Sequence, residues 1–365
     1  MEDNSLEQEK KSKNKPKLKI LKQIILVLFL LGIICCDIIV YLLYGPWHGF
    51  RDWLITTAMT TFTHQYLATW FYSNEQIEEC LNRNRIEALT GYTDESLINI
   101  INYNQIKVSS YKNEYERQIL EKDPNNNDYK IIEIDGKKYH GYMAVIYDPS
   151  RIQVCVANNL GSSNGEMIET ISKRNNAILA INGGGYTVPK PSIMELLGIT
   201  ISNNNLLSSN HNNIIGFNKN NKLILGNFSS EQALNNNIRD CVSFVPYLIL
   251  NGKKAEIYGN AGYGTASRTA IGQRADGIVL FLVLDGDRKK LEGATMQDLI
   301  GIFEKYGAIN AANLDGGTSS SLVCKNKTIN DVRHGGHPIP TAFILKADDS
   351  DDGDYSVVKD KVDNE

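Results

Sequence analysis

Residues 277–314 read GIVLFLVLDGDRKKLEGATMQDLIGIFEKYGAINAANL, two apolar runs with an amphipathic segment between them. The run 277–284 is continuously apolar, as in a strand buried on both faces. Thr295 followed by Asp298 is a capping-box pattern that predicts a helix start. One face of that helix is apolar at Met296, Leu299, Ile300 and Phe303. With residues 309–314 as the next strand, the pattern predicts a right-handed β-α-β unit with parallel strands.

Asp285 and Asp315 directly follow these two strands. Because parallel strands end at the same edge of a sheet, the two carboxylates are expected to emerge at one edge, where such sheets bind ligands. A third apolar run, residues 177–181, ends at Asn182 and is a candidate to join them there.

Further short strands are predicted on both sides of this unit. Asp148-Pro149-Ser150 separates two apolar runs and is a hairpin signal. Strands of a meander are predicted at 196–201, 214–218 and 222–226. The sequence therefore predicts an α+β domain over residues 139–346, in which a mixed β-sheet contains one parallel β-α-β unit and carries flanking helices.

The composition is that of a globular protein. The 365 residues include 38 Lys and Arg, 42 Asp and Glu, and 42% hydrophobic residues, and the formal net charge is −4. Disordered, coiled-coil and disulfide-stapled mini-protein classes are excluded. Because the chain is not basic, no nucleic-acid partner is expected.

The N-terminus predicts a membrane anchor. Residues 20–44 are apolar over 25 positions, long enough to span a bilayer, and follow a lysine-rich segment, residues 1–19. The apolar stretch is too long for a cleaved signal peptide and lacks a small-x-small site. Since positive residues stay cytoplasmic, the rest of the chain is expected outside the cell membrane. Residues 45–138 are interpreted as a helical stalk, and 347–365 as an acidic disordered tail.

Two glycine-containing loops are candidate binding sites. Asn182-Gly183-Gly184 allows positive φ and close approach of an anionic group to backbone N–H groups, or forms only a tight turn. The loop Asp315–Ser319 combines a carboxylate with backbone N–H groups and hydroxyls. This second loop suits chemistry at a glycosidic oxygen or a phosphodiester, with a simple Asx turn as the alternative.

Cationic candidates lie on two other segments. Arg268, next to Thr269, offers bidentate donors to phosphate or carboxylate, or forms a surface salt bridge. Arg333 lies in a flexible loop with His334 and His337. One of these histidines is a candidate general acid or base. A metal site there would need ligands that the sequence does not provide at an obvious spacing, and the six cysteines form no CxxC pair. No metal and no cofactor is predicted.

Taken in order, INGGGY, SRTAIGQRADGIVLFLVLDGD, NLDGGTSSSLV and a final Arg333 with PTAFIL form a distinctive set. The set resembles the phosphodiester glycosidase family, whose pattern runs NGGFF, RTA-G, a DGR-like strand end, NLDGGGSS and R-VANAL. The match covers residues 139–346. Tyr186 stands in place of a phenylalanine and Thr318 in place of a glycine.

The resemblance implies hydrolysis of a sugar-1-phosphodiester, which releases a sugar and a phosphomonoester. It implies Asp315 and Asp285 as catalytic carboxylates. It also implies substrate contacts from Asn182, Gly183, Gly184, Arg268, Thr269, Gly316, Gly317, Thr318, Ser319 and Arg333. The expected protein is a membrane-anchored hydrolase of phosphodiester-linked sugars in cell-surface polysaccharide or exopolysaccharide. The alternatives are a non-catalytic polysaccharide-binding protein and a metal-dependent phosphodiesterase.

Overall fold

The computed structural model describes residues 3–60, 64–103, 108, 110–123, 126–158, 160–161, 164–190, 193–210, 213–286, 292–332 and 335–348. These residues form two compact units, Met1–Asn84 and Arg85–Glu365. The predicted contacts of Arg333 and His334 therefore lie outside the described residues.

The first unit is helical. Its helices are α1 (Asp3–Tyr44), α2 (His48–Met59), α3 (Tyr66–Thr69) and α4 (Asn74–Arg83). Within α1, Ile20–Tyr44 is long and apolar enough to cross a membrane. Most of its side chains are exposed, and Leu43 near its end is buried. This segment agrees with the predicted anchor in length and composition.

The second unit combines short helices with many strands. The helices are α5 (Glu114–Leu120), α6 (Ile168–Arg174), α7 (Ser230–Asn235) and α8 (Met296–Lys305). The strands are β1 (Tyr129–Asp135), β2 (His140–Ile146), β3 (Ile152–Val156), β4 (Ala177–Asn182), β5 (Tyr186–Lys190), β6 (Ile193–Leu196), β7 (Ile199–Ser202), β8 (Asn205–Ser209), β9 (Asn213–Asn218), β10 (Leu223–Asn227), β11 (Ile238–Val242), β12 (Tyr247–Leu250), β13 (Lys253–Lys254), β14 (Arg268–Arg274), β15 (Val279–Leu284), β16 (Ala308–Asn313), β17 (Leu322–Cys324), β18 (Lys327–Thr328) and β19 (Thr341–Lys346).

These strands form three larger sheets and one hairpin. The seven-stranded sheet has the order β1-β2-β15-β14-β16-β12-β13. Two five-stranded sheets have the orders β10-β9-β11-β7-β8 and β18-β17-β4-β19-β3, and β5 pairs with β6. Helix content and sheet content are both as predicted, and the capping box of Thr295 with Asp298 at the start of α8 is confirmed.

The predicted parallel pair is wrong. Strand β14 lies between β15 and β16 and pairs antiparallel with both. The outer two strands therefore run in the same direction without hydrogen bonding to each other. Sequence reading missed β14 because its buried residues include Thr269, Gln273 and Arg274, which do not form an apolar run. Among the described residues, every strand ladder is antiparallel, so the sheet is not mixed.

Two local expectations also differ from the structure. The Asp148-Pro149-Ser150 turn does not close a hairpin, because β2 pairs with β1 and β15 whereas β3 pairs with β19 in another sheet. The turn therefore carries the chain from one sheet to the next. Strand β1 lies within the segment interpreted as a stalk, so the sheet begins before residue 139.

The three large sheets share one core. Phe281 of the seven-stranded sheet and Phe217 and Phe343 of the two five-stranded sheets are each fully buried. The ring centroids of Phe217 and Phe281 lie 6.3 Å and 6.4 Å from that of Phe343. Truncating a buried phenylalanine to alanine typically costs about 3–5 kcal/mol. This shared aromatic contact fixes the sheets against each other and holds the strand ends that form the candidate site.

Candidate active site

Asn182 connects the end of its own strand, β4, to residues at the ends of three other strands through hydrogen bonds. It is the last residue of β4 and is 1% exposed. Its Oδ1 accepts hydrogen bonds from Thr269 Oγ1 at 2.7 Å and from the Ser321 amide at 3.2 Å. Its Nδ2 donates to the Asp315 carbonyl at 2.5 Å. Asn182 and fully buried Thr269, both predicted to contact substrate, therefore position the Asp315 loop in this structure.

The glycine loop is packed rather than open. The Gly183 amide donates to the Thr341 carbonyl at 2.8 Å, and the Gly184 amide donates to Thr341 Oγ1 at 2.9 Å. A Cβ on Gly183 would lie 2.5 Å from Thr341 Oγ1, and one on Gly184 would lie 2.7 Å from Val242 Cβ. Neither glycine has positive φ. These two glycines therefore serve close backbone packing without positive φ, and their predicted contact with substrate stays a prediction.

The carboxyl of Asp315 is the most perturbed acid in the site. Desolvation raises its pKa to about 6, against the lowering effect of hydrogen bonds from the Ser319 side chain and the Gly316 amide. The Gly316 amide lies 3.0 Å from Oδ1. Gly317 has φ +66° and donates its amide to the Ser267 carbonyl at 2.8 Å. A carboxyl that titrates near neutral pH is suited to proton transfer.

His337 completes a polar cluster with Ser319 and Tyr186. Its Nε2 lies 2.8 Å from Ser319 Oγ and 3.4 Å from the Tyr186 hydroxyl. Its Nδ1 lies 2.6 Å from the Pro338 carbonyl, which only accepts, so we infer that Nδ1 carries the proton and Nε2 accepts. Burial lowers the pKa of His337, which keeps the ring neutral.

The Ser319 hydroxyl has one proton for two acceptors, Asp315 and His337 Nε2. When Asp315 is ionised, Ser319 donates to the carboxylate, and the Tyr186 hydroxyl is the donor left for Nε2. When Asp315 is protonated, its O–H donates to Ser319, which in turn donates to His337. Burial and the nearby Asp315 charge raise the pKa of Tyr186 to about 12, so this hydroxyl keeps its proton. The cluster can thus accommodate both charge states of Asp315.

Asp285 has a different setting. It follows β15, and its carboxylate accepts from Asn330 Nδ2 at 2.7 Å and from the Asp331 amide at 2.8 Å. Burial raises its pKa, and these two hydrogen bonds lower it. Asn330 also donates to the Ser320 carbonyl at 3.1 Å. Both known contacts of the Asp285 carboxylate hold a loop, and its predicted catalytic role stays a prediction.

Arg268 is 6% exposed, and its side chain donates hydrogen bonds to backbone carbonyls. Its Nε donates to the Ala294 carbonyl at 3.1 Å. One terminal nitrogen donates to the carbonyls of Tyr263 and Gly264 at 3.1 and 2.9 Å. These contacts describe a buried guanidinium that holds the loop before β14. Its predicted phosphate contact stays a prediction.

Sequence reasoning missed Tyr186 and Asn330, and it singled out His337 only within a loop of uncertain role. The signal for Tyr186 was its place directly after the glycine loop. Nothing in the sequence marked Asn330. Of the remaining predicted contacts, Ser319 is buried and Thr318 is exposed. Among the residues that the structure describes, no three His, Cys, Asp or Glu side chains are grouped so as to hold a metal ion.

An acid with a raised pKa, Asp315, is thus linked to serine, histidine and tyrosine side chains where two antiparallel sheets meet. Residues 175–346 match the family model of phosphodiester glycosidase. This match supports the assignment of residues 175–346 to the phosphodiester glycosidases.

Known proteins resemble the chain at the level of fold and sequence. The catalytic domain of zebrafish N-acetylglucosamine-1-phosphodiester alpha-N-acetylglucosaminidase matches with a TM-score of 0.54 and 21% identity, over 62% of this chain and 86% of that one. A hypothetical protein from Synechocystis matches with a TM-score of 0.45 and 15% identity, over 59% of this chain and 61% of that one.

A curated relative is the SPbeta prophage-derived uncharacterized protein YomE of Bacillus subtilis (strain 168). It is 26% identical over 239 residues, which make up 62% of this chain. The chain spans 36% of the length of that relative.

Proposed function

We propose that the protein is a membrane-anchored glycosidase that hydrolyses a sugar-1-phosphodiester linkage. The observation that carries this proposal is the Asp315 carboxyl, with a pKa of about 6, linked through Ser319 to His337. The family match supports the reaction class.

The proposed reaction requires a carboxylate that acts as a base, and it does not require a strong acid. A phosphate ester is a good leaving group, so the departing oxygen requires little protonation. The ionised Asp315 takes a proton from water as the water oxygen bonds to the anomeric carbon. The bond from that carbon to the phosphate oxygen breaks, and its electron pair leaves on the phosphate. The products are a free sugar and a phosphomonoester.

The surrounding residues have distinct roles in this proposal. Asn182 and Thr269 hold the Asp315 loop in place through the contacts described above. The exposed hydroxyl of Thr318 is available to substrate oxygens at the mouth of the loop. Ser319 stabilises the carboxylate of Asp315 in its ionised form through a hydrogen bond.

The substrate and location follow from the N-terminal segment together with the family match. An apolar helix preceded by lysines favours an anchor with a cytoplasmic N-terminus. In that orientation the glycosidase domain faces outward, where phosphodiester-linked cell-surface polysaccharide or exopolysaccharide is the available substrate class.

The test uses the full chain in detergent, with UDP-N-acetylglucosamine as an activated sugar-phosphodiester. We expect sugar release by the wild type, in the presence or absence of chelator, and its loss in Asp315→Asn. Loss of release with chelator would indicate metal-dependent chemistry. No release from a panel of sugar-phosphodiesters, with polysaccharide binding retained, would instead support a non-catalytic binding protein.

A further inference from the structure

An open cavity of about 510 Å³ lies beside the glycine loop. Its lining includes Gly185, Leu197, Asn213, Asn227, Phe244 and Val245. The described residues that line it carry no charged side chain. Its volume falls within the range typical of sites for small ligands.

The cavity wall and the Asp315 loop share the same backbone segments. The Gly183 carbonyl accepts a hydrogen bond from the Asp315 amide at 3.1 Å. Two residues later, the Gly185 amide donates to the Ser243 carbonyl at 3.0 Å. On the other side, Asn313 Nδ2 donates to the Val245 carbonyl at 3.3 Å. Asn313 lies two residues before Asp315. A ligand in the cavity is therefore adjacent to the catalytic loop.

Two asparagines face each other at one end of this cavity. Asn213 begins β9, Asn227 ends β10, and the two residues are register partners. Neither carboxamide has a hydrogen-bond partner among the described residues. Asn210, by contrast, donates from Nδ2 to the Leu196 carbonyl at 3.3 Å and accepts from the Gly198 amide. The side chains of Asn213 and Asn227 thus present free donors and acceptors to the cavity. The side chain of Asn210 instead bonds to backbone groups in the cavity wall.

The rest of the lining is apolar. Phe244 is partly buried against the core, and Val245 is 43% exposed. An aromatic and aliphatic wall opposite amide donors and acceptors matches a sugar ring, which has C–H faces and a rim of hydroxyls. A phosphate would find no cation in this lining to neutralise it.

We infer that this cavity is a subsite for a neutral sugar unit that neighbours the scissile phosphodiester. The inference rests on the proposed function, because it assigns the cavity to a further part of the same polymeric substrate. It predicts that the protein binds neutral sugars without cleaving them.

The test measures binding of the methyl glycosides of glucose, galactose and N-acetylglucosamine to the full chain in detergent, by saturation-transfer NMR and calorimetry. The double variant Asn213→Ala/Asn227→Ala should bind at least about tenfold more weakly, because it loses hydrogen bonds to the ligand. The matched control is Asn220→Ala, an exposed asparagine in the turn between the same two strands. It should bind as the wild type does.

The two proposals fail separately. Asp315→Asn should retain glycoside binding, and Asn220→Ala should retain both glycoside binding and hydrolysis of UDP-N-acetylglucosamine. If no glycoside binds, or if the double variant binds as well as Asn220→Ala, the subsite is overturned. If binding follows the prediction while hydrolysis is absent in the wild type, the proposed reaction is overturned and the subsite stands.

Discussion

Asp315 and Asp285 occupy similar positions in the sheet, each directly after a strand, but their side chains have different hydrogen-bond partners. Each follows a strand that pairs antiparallel with β14, so both strands run in the same direction. Asp315 enters a loop that supplies a serine hydroxyl, and through it a histidine. Asp285 meets Asn330 Nδ2 and a backbone amide. Strand direction thus sets where a carboxylate emerges, and the loop that surrounds it sets what the carboxylate can do.

The contrast lies in the partners rather than in burial. Desolvation raises the pKa of both carboxyls. The donors to Asp285 are an amide side chain and a backbone N–H, neither of which can accept a proton from it. The Ser319 hydroxyl beside Asp315 both donates and accepts. Only the Asp315 side therefore has a path for a proton.

The largest expected difference is catalytic. Asp315→Asn should lower kcat by about 10²–10⁴-fold, the usual contribution of a positioned acid or base. Asp285→Asn should keep activity within about tenfold per folded molecule. The rate of sugar release at steady state, divided by the concentration of folded protein, measures kcat for both variants. Equal losses in the two variants would mean that the aspartates act as a catalytic pair.

Asp315→Asn should also change stability with pH. The folded-state pKa of about 6 exceeds the model-peptide value of 3.8, so the folded state binds the proton more tightly. This contribution favours folding below pH 4 and is lost as pH rises through 6. The variant should therefore be more stable than wild type at pH 8, by up to about 3 kcal/mol, and not at pH 4. Denaturant unfolding at the two pH values tests this, and an equal effect at both would contradict burial of the charge.

Asp285→Asn should destabilise the domain. Its carboxylate accepts two hydrogen bonds, and an amide placed there turns a donor toward the Asn330 or Asp331 donor. The mispaired donor costs about 1–3 kcal/mol. Because burial raises the pKa of Asp285, removal of its charge at neutral pH offsets part of this cost. Asp298→Asn and Asp148→Asn are unsuitable as controls because both side chains cap helical turns. Glu195→Gln, at an exposed position of β6, is the control. A wild-type free energy of unfolding for Asp285→Asn would show that the contact with Asn330 is dispensable.

The pH profile should separate the two roles of the Asp315 carboxyl. Since the ionised form of Asp315 takes the proton, kcat/KM should rise with pH through about 6. At one pH unit below this pKa, kcat/KM should be about tenfold lower than its plateau value. A profile that falls through the same pH would assign Asp315 as a general acid instead.

The smallest expected effect concerns Ser319. Its hydrogen bond lowers the pKa of Asp315, so Ser319→Ala should move the rising limb of kcat/KM to higher pH. Ser319→Thr keeps the hydroxyl and should restore the wild-type midpoint. An unchanged midpoint in Ser319→Ala would remove Ser319 from the proton path.

The sequence predicted strands where apolar residues are continuous, and a helix where capping and periodicity agree. Those patterns predict β15, α8 and the position of Asp315 after a strand. β14 was not, because Thr269 and Arg274 are buried through specific partners that only the folded chain provides. For the same reason the sequence does not reveal that Asn182 bonds to residues 87 and 133 positions away, and its predicted contact with substrate stays a prediction.

Those separations bear on how the proposed active site forms during folding. Asn182 belongs to a five-stranded sheet and Thr269 to the seven-stranded sheet, so their bond forms only after distant segments have met. Contacts of such long range form slowly, since chain closure must precede them. The catalytic corner is thus expected to assemble late in folding. Recovery of turnover after dilution from denaturant should lag behind recovery of secondary structure, which makes enzymatic activity a reporter of the final docking step.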